Sequence, residues 1–277
     1  MIWTPGEPIR LVFGNAELEA LCLGPPPSEA PTLVLLHEGL GCVALWRDFP
    51  QKLQQATGLG VFAYSRSGYG HSTPTPLPRP LDYMTREAVD VLPLVLDAIG
   101  FRHGVLLGHS DGASIATLYL GNVQDHRVRG AILMAPHFFT EGMGLAAIAQ
   151  AKIAYDSGDL RARLARYHQN VDVAFRGWND AWLDPGFANW NIEDAIDYLR
   201  VPVLAIQGRE DQYGTLAQLH SLEQHLYSPY DPLVLDHCRH SPFLDQPEAC
   251  LAAIADFTTR LWRIEQAPGA PPPHHSS

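Results

Sequence analysis

The stretch Gly104-Val-Leu-Leu-Gly-His-Ser-Asp-Gly-Ala-Ser-Ile-Ala116 decides the fold of this chain. Its apolar run at residues 105–107 predicts a buried strand, and residues 113–120 continue with the pattern of a helix that begins with small residues. Between them lies a G-x-S-x-G segment, a nucleophile elbow in which a sharp turn from strand to helix exposes the serine hydroxyl. The pentapeptide alone is a weak signal, and the flanking strand and helix carry most of its weight. Ser110 is therefore the candidate nucleophile.

The composition is that of an acidic globular protein. The chain has 277 residues, of which 46% are hydrophobic, and this length allows one large domain or two small ones with a substantial core. A net charge of −11 argues against nucleic acid or an anionic membrane as a partner. The first residues lack the basic and apolar parts of a signal peptide, and no run is long and apolar enough to span a bilayer. We therefore expect a cytoplasmic location.

The sequence contains no motif for a cofactor or a metal, so we expect neither. The four cysteines lack C-x-x-C spacing and are expected to be reduced thiols. His274 and His275 lie in a terminal segment and do not form a metal motif.

Short apolar runs alternate with helical patterns along most of the chain. The predicted strands cover residues 9–13, 18–23, 32–36, 61–64, 105–107, 131–134, 201–206 and 233–235. The predicted helices between them cover residues 48–56, 83–99 with a kink at Pro93, 113–120, 216–226 and 247–262. This alternation predicts an α/β fold: a mostly parallel central sheet with helices on both faces and an antiparallel hairpin at its start.

Strand signals disappear between residues 140 and 199, where helical patterns cover 145–155, 160–168, 172–175 and 192–198. We interpret this segment as an all-helical cap, residues 140–199, inserted into a core domain of residues 1–139 and 200–265. The proline-rich residues 266–277 are expected to be a disordered tail.

Aromatic side chains cluster in the predicted cap. Packing within the insertion is the favoured interpretation, because large aromatics dominate cores. Contact with an apolar or aromatic part of a substrate is the alternative, with the three tryptophans as candidates. The cluster comprises Phe175, Trp178, Trp182, Phe187 and Trp190.

A serine hydroxyl becomes a nucleophile when a base takes its proton and a third group orients that base. Both partners should follow later strands, because ligands of open α/β sheets bind at the carboxyl ends of the strands. Asp211 follows the strand at 201–206 and is preferred over its neighbour Glu210. His240 lies on the loop after the strand at 233–235 and is preferred over His237.

Acyl transfer also needs hydrogen-bond donors for the developing oxyanion. One should be the backbone N–H of Asp111, which follows the nucleophile. The other should come from the loop at residues 37–41, where Gly39 is the first choice and Leu40 the second. A glycine there lets the backbone approach a substrate without a side chain between them.

These residues resemble the α/β-hydrolase family over nearly the whole chain. The matching motifs are the elbow, residues 37–41 like the family's H-G oxyanion loop, Ser65-Arg66-Ser67-Gly68-Tyr69-Gly70 like its R-G-x-G loop, residues 208–211 like its G-x-x-D, and His240. The helical insertion is similar to the family's cap. The resemblance implies the fold and a Ser–His–Asp triad, and it indicates little about the substrate.

Glu38 departs from the family, which commonly has glycine after the oxyanion-loop histidine. A carboxylate facing a developing oxyanion would oppose catalysis by Coulomb repulsion. We therefore expect Glu38 to point away from Ser110 and to pair with a cation, with Arg66 as the first candidate. Cys42, beside this loop, is expected to be a small buried apolar residue.

A serine nucleophile differs from the aspartate of the related haloalkane dehalogenases and epoxide hydrolases. The expected function is a serine hydrolase that cleaves a small-molecule carboxylic ester through an acyl-enzyme. Carbon–carbon bond hydrolysis of a diketone-type substrate is the next alternative, followed by amide, lactone, thioester or perhydrolase chemistry. A binding protein on the same fold is the remaining class, since fold does not dictate function.

Overall fold

The computed structural model of the protein describes residues 2–265, within which eight strands form one sheet. The strands are β1 (Pro8–Phe13), β2 (Ala16–Leu23), β3 (Thr32–Leu36), β4 (Gly60–Tyr64), β5 (Gly104–His109), β6 (Val128–Met134), β7 (Val203–Gly208) and β8 (Tyr230–Leu235). Their order across the sheet is β1-β2-β4-β3-β5-β6-β7-β8. Only the pairings of β2 with β1 and β4 are antiparallel in this sheet. The predicted mostly parallel sheet with an opening hairpin is confirmed, and the tail predicted at residues 266–277 lies outside the described residues.

The described helices are α1 (Phe49–Thr57), α2 (Tyr83–Arg86), α3 (Leu92–Ala98), α4 (Asp111–Asn122), α5 (Gly142–Ser157), α6 (Leu160–Leu164), α7 (Val171–Trp182), α8 (Glu193–Ile196), α9 (Ala217–His225), α10 (Pro242–Asp245) and α11 (Pro247–Glu265). Short 3₁₀ turns occupy Val43–Trp46 and Pro185–Phe187. No helix in the described part of the chain has the length and apolar character needed to cross a membrane.

Helices cover both faces of the sheet, which explains why the central strands are continuous apolar runs. Along β3, the side chains of Leu33 and Leu35 pack on one face with α1, α10 and α11. Those of Val34 and Leu36 point to the other face, which α3, α4 and α9 cover. Successive side chains of a strand alternate between faces, so a strand buried on both sides is apolar at most of its positions.

The helix predicted at residues 83–99 consists of α2, a π-helical turn at Glu87–Val91 and α3. Pro93 lies in the first turn of α3 and has no N–H to donate. The π-helical turn that precedes Pro93 is a local irregularity at the place where the sequence predicted a kink.

The segment from residue 140 to residue 199 contains α5 to α8 and packs over the sheet face that holds α4. Its largest difference from the sequence analysis is α7, which extends seven residues beyond the predicted end at residue 175. Gly177 interrupts the helical pattern there, but burial of Phe175, Trp178 and Trp182 stabilises the longer helix. Helix α6, by contrast, ends at Leu164 rather than at residue 168.

The elbow requires backbone to pack directly on backbone. Ser110 joins β5 to α4 with φ of +53° and ψ of −119°, a strained conformation for a residue with a side chain. A Cβ atom on Gly112 would overlap the carbonyl oxygen of Leu36, and one on Gly108 would overlap the carbonyl of Gly112. Glycine at these positions lets α4 begin against β3 and β5.

We predict that Gly112→Ala lowers the free energy of unfolding by about 3 kcal/mol or more, because the methyl group meets fixed backbone. Gly142→Ala is the matched control, since a Cβ atom there has no neighbour within 4 Å. The control should change stability by less than about 1 kcal/mol. Urea unfolding followed by circular dichroism measures both values, and equal stability of the two variants would contradict the packing argument.

Candidate active site

Three side chains from distant parts of the chain meet at the carboxyl ends of the parallel strands. Ser110 follows β5, Asp211 follows β7 and His240 lies on the loop after β8. Nε2 of His240 is 2.9 Å from Oγ of Ser110. Nδ1 of the same ring is 2.9 Å and 2.8 Å from the two carboxylate oxygens of Asp211. This is a continuous hydrogen-bonded series from carboxylate to hydroxyl.

The two alternative residues pair with each other away from this series. His237 has a side chain that is 92% exposed, and its Nδ1 is 3.2 Å from Oε1 of Glu210. The backbone of His237 has φ of +54°, in the turn that precedes the loop carrying His240. The structure thus brings Asp211 rather than Glu210 to His240, and His240 rather than His237 to Ser110.

The carboxylate of Asp211 is buried and fixed by several donors. The backbone N–H of Tyr213 donates to Oδ1 at 2.8 Å, and Nε2 of Gln207 donates to Oδ2 at 2.8 Å. Burial by itself would raise the pKa of Asp211. The hydrogen bond from His240, the charge of that ring and the hydrogen bond from the Tyr213 N–H outweigh burial, so the pKa lies below its usual value. An ionised carboxylate at Nδ1 leaves the lone pair of Nε2 directed at Ser110.

The predicted oxyanion donors differ in availability. Within residues 2–265, the backbone N–H groups of Asp111 and Gly39 have no acceptor. The N–H of Leu40, by contrast, donates to Oε2 of Glu38 at 2.6 Å. Of the two donors predicted for this loop, Gly39 is therefore the one whose N–H is free, and both Gly39 and Asp111 line the pocket that contains Ser110.

Arg66 holds the loop that carries Gly39. Its guanidinium donates to the backbone carbonyls of His37 and Glu38, and its backbone N–H donates to Nε2 of His37 at 3.0 Å. Burial and the charge of Arg66 hold the pKa of His37 well below its usual value. The neutral ring then donates from Nδ1 to the carbonyl of Glu38, at 2.7 Å. The loop is thus fixed by hydrogen bonds to its main chain.

The expectation that Glu38 points away from Ser110 and pairs with Arg66 is wrong. Arg66 uses its donors on main-chain carbonyls and lies 3.9 Å from the carboxylate of Asp111. The carboxylate of Glu38 folds back onto the N–H of Leu40 and lines the same pocket as Ser110. Burial raises the pKa of Glu38, because a charge is costly to hold away from water.

The pocket over Ser110 encloses about 420 Å³, open solvent at its mouth included. Trp178 and Trp182 from α7 form part of its wall, together with Ile148 from α5. Trp190, the third candidate substrate contact, does not line this pocket; it stacks on Phe187, with ring centroids 5.1 Å apart. The aromatic residues of this helical segment therefore divide between the pocket wall and the interior of the segment.

The sequence analysis missed two polar residues of the pocket, His137 and Tyr213. His137 comes soon after β6, and its ring centroid is 5.6 Å from that of His240. Burial and the charge of His240 lower the pKa of His137 to about 3, so this imidazole is neutral. Its position after a strand is the signal that identified Asp211 and His240, and the same rule applied to β6 would have found His137.

No group of His, Cys, Asp and Glu in the described chain is arranged to hold a metal ion.

Buried histidines near the site predict a dependence of stability on pH. Burial and the charge of His240 lower the pKa of His109 to about 3, and Nε2 of His109 contacts the carbonyl of His240 at 2.7 Å. The folded protein keeps this ring neutral while the unfolded chain takes up a proton below pH ~6.5, so the free energy of unfolding falls as the pH falls. His109→Gln retains an N–H donor and removes the titration.

We predict that wild type loses about 1 kcal/mol more stability than His109→Gln between pH ~6 and pH ~5. Urea unfolding of both proteins at the two pH values measures this difference. Parallel losses in the two proteins would contradict a neutral buried ring at residue 109.

Comparison with known proteins now identifies the family. The model of the alpha/beta hydrolase family matches residues 33–253. The chain belongs to the alpha/beta hydrolase family. A proline iminopeptidase from Lactobacillus delbrueckii subsp. bulgaricus is 29% identical over 123 residues, which cover 44% of this chain and 41% of that relative. The chain thus spans about two-fifths of the length of the curated relatives it matches.

Solved structures share the fold at lower identity. The crystal structure of VinJ has a TM-score of 0.75 and 20% identity, and the match covers 93% of this chain and 100% of VinJ. Carboxylesterase CesB (YbfK) from Bacillus subtilis has a TM-score of 0.66 and 22% identity over 91% of each chain. The family supports hydrolysis as the reaction type, and the choice of bond depends on the side chains of the site.

Proposed function

We propose that this protein is a serine hydrolase that cleaves small carboxylic esters through an acyl-enzyme. The observation that carries the proposal is the hydrogen-bonded series from Asp211 through His240 to Ser110. The series opens into a pocket with two free backbone N–H donors and aromatic walls. Activated oxygen, oxyanion donors and an apolar binding surface are the requirements of ester hydrolysis.

In the proposed reaction, Oγ of Ser110 attacks the ester carbonyl carbon while Nε2 of His240 accepts the hydroxyl proton. The carbonyl oxygen becomes an oxyanion facing the N–H groups of Asp111 and Gly39. Collapse of the tetrahedral intermediate breaks the bond to the alcohol oxygen, which takes the proton from His240. A water molecule, deprotonated by His240, then attacks the acyl carbon. Collapse of the second intermediate breaks the bond to Oγ of Ser110, which takes the proton back from His240 as the acid leaves. Asp211 orients the ring and stabilises its charged form.

The walls of the pocket support an apolar or aromatic group next to the reacting carbonyl. Trp178, Trp182 and Ile148 supply a flat apolar surface, and Tyr213 lies against the ring of His240 at a centroid distance of 4.7 Å. The names carboxylesterase and proline iminopeptidase, borne by two of the proteins compared above, both denote cleavage at a carbonyl carbon. An ester is the least demanding such substrate, because its alcohol leaves more readily than an amine.

We predict that Asp211→Asn and His240→Gln each lower kcat for p-nitrophenyl esters by about 10³-fold or more, because the serine loses its oriented base. Glu210→Gln and His237→Gln are the matched controls, since these residues are a neighbouring carboxylate and imidazole that do not contact Ser110. The controls should stay within about twofold of wild type. Initial rates with acetyl, butyryl and octanoyl esters measure the effect.

Two outcomes would contradict this proposal. Losses of similar size in the Glu210 and His237 variants would mean that the base is not His240. Negligible turnover of every ester, together with rapid cleavage of a ring-fission diketone, would assign carbon–carbon bond hydrolysis to the same residues.

A further inference from the structure

The carboxyl group of Glu38 lies at the pocket of Ser110 with one of its two oxygens unpartnered. Its Oε2 accepts the N–H of Leu40, whereas Oε1 has no donor within hydrogen-bonding distance among residues 2–265. Glu38 also lines a second cavity, of about 390 Å³ with its open mouth included, beside Trp46 and Phe243. One carboxylate oxygen is therefore available to a bound molecule.

Within residues 2–265, Glu38 forms no close ion pair, although the charges of His240 and Arg66 favour its ionised form from a distance. The residues that line the pocket include neither lysine nor arginine. The terminal nitrogens of Arg66 donate to main-chain carbonyls, and Nδ1 of His240 pairs with Asp211. His137 is held neutral by burial. The pocket therefore leaves room for a ligand to place a positive charge beside the free carboxylate oxygen.

Aromatic rings form the surface next to the carboxylate. Trp178 packs so closely on Gly39 that a Cβ atom there would overlap its indole ring. Trp182 and Tyr213 complete this side of the pocket. Aromatic faces combined with a carboxylate attract an ammonium group through cation–π and charge-assisted hydrogen bonding. The net charge of −11 also raises the local concentration of cations.

We infer that the substrate carries a protonated amine close to its reacting carbonyl and that Glu38 binds this amine. This inference rests on the proposed function and names the substrate class of the same site. A bound ammonium group also removes an electrostatic obstacle. Glu38 adjoins Gly39, the proposed oxyanion donor, and an ionised carboxylate there would repel the developing negative charge. With the amine in place, the carboxylate is neutralised before the oxyanion forms.

Binding tests this inference without depending on turnover. The probes are 2-phenylethylammonium and its neutral counterpart 2-phenylethanol, titrated into wild type, Glu38→Gln and Asp180→Asn by calorimetry. Asp180→Asn is the matched control, since it removes one negative charge from an exposed pair with Lys152. Wild type and the control should bind the cation about tenfold more tightly than the alcohol, and Glu38→Gln should lose this preference. A cation that binds no better than the alcohol in wild type overturns the inference, as does an equal preference in Glu38→Gln.

A second experiment measures the same preference in catalysis. Phenylalanine methyl ester and methyl 3-phenylpropanoate differ by the α-amino group, which is protonated near pH ~6.5. The ratio of their kcat/KM values should fall about tenfold from wild type to Glu38→Gln and stay unchanged in Asp180→Asn. Equal ratios in wild type and Glu38→Gln overturn the inference while leaving ester hydrolysis intact. Cation selectivity in binding without hydrolysis of any ester would instead support the amine site and contradict the proposed function.

Discussion

The backbone of Ser110 is the constraint on which the rest of the site depends. Ser110 is held at φ of +53° because the chain turns sharply here from the end of β5 into the start of α4. Gly112 packs against the carbonyl of Leu36 at the end of β3. The same contact fixes the elbow relative to the loop that follows β3, so the N–H groups of Asp111 and Gly39 have a defined separation. Their geometry is a consequence of backbone packing, with the positive end of α4 directed at the reacting oxygen.

The sheet brings the other participants to this turn. Parallel strands end at one edge, and the residues that follow β5, β7 and β8 therefore meet although they are far apart in sequence.

Most buried charged side chains of the site have fixed partners within the protein. Arg66 clamps the main chain of the loop at residues 37–41 and lies beside Asp111, under the elbow. Glu38 is the exception, because its free oxygen faces a pocket rather than a protein partner.

Much of this arrangement was predictable from the sequence. The central strands were identifiable because both faces of the sheet are covered there, so each is a largely apolar run bounded by turn residues. Asp211 and His240 were identifiable because each follows a strand at the edge where the elbow lies. His137 satisfies the same rule after β6 and was accessible to it. The preference for His240 over His237 rested on position in the loop, and it has a structural basis, because the ring of His240 contacts Ser110 whereas that of His237 is exposed.

The remaining features depend on contacts that no local pattern encodes. Arg66 donates to carbonyl oxygens of a loop 28 and 29 residues away in sequence, rather than to the carboxylate of Glu38. Trp182 and Trp190 belong to one aromatic cluster, yet only Trp182 lines the pocket. The path of the chain after α7 makes this difference, and the sequence pattern does not show it.

The central claim is that the fold makes one serine hydroxyl a nucleophile. Reaction with a fluorophosphonate ester, followed by mass spectrometry of the intact protein and of its peptides, tests this most directly, because phosphonylation needs the activated oxygen and no knowledge of the substrate. The account predicts a single adduct per chain, located on Ser110 and absent after Ser110→Ala. A wild-type protein that resists the reagent, or an adduct on another residue, would contradict it.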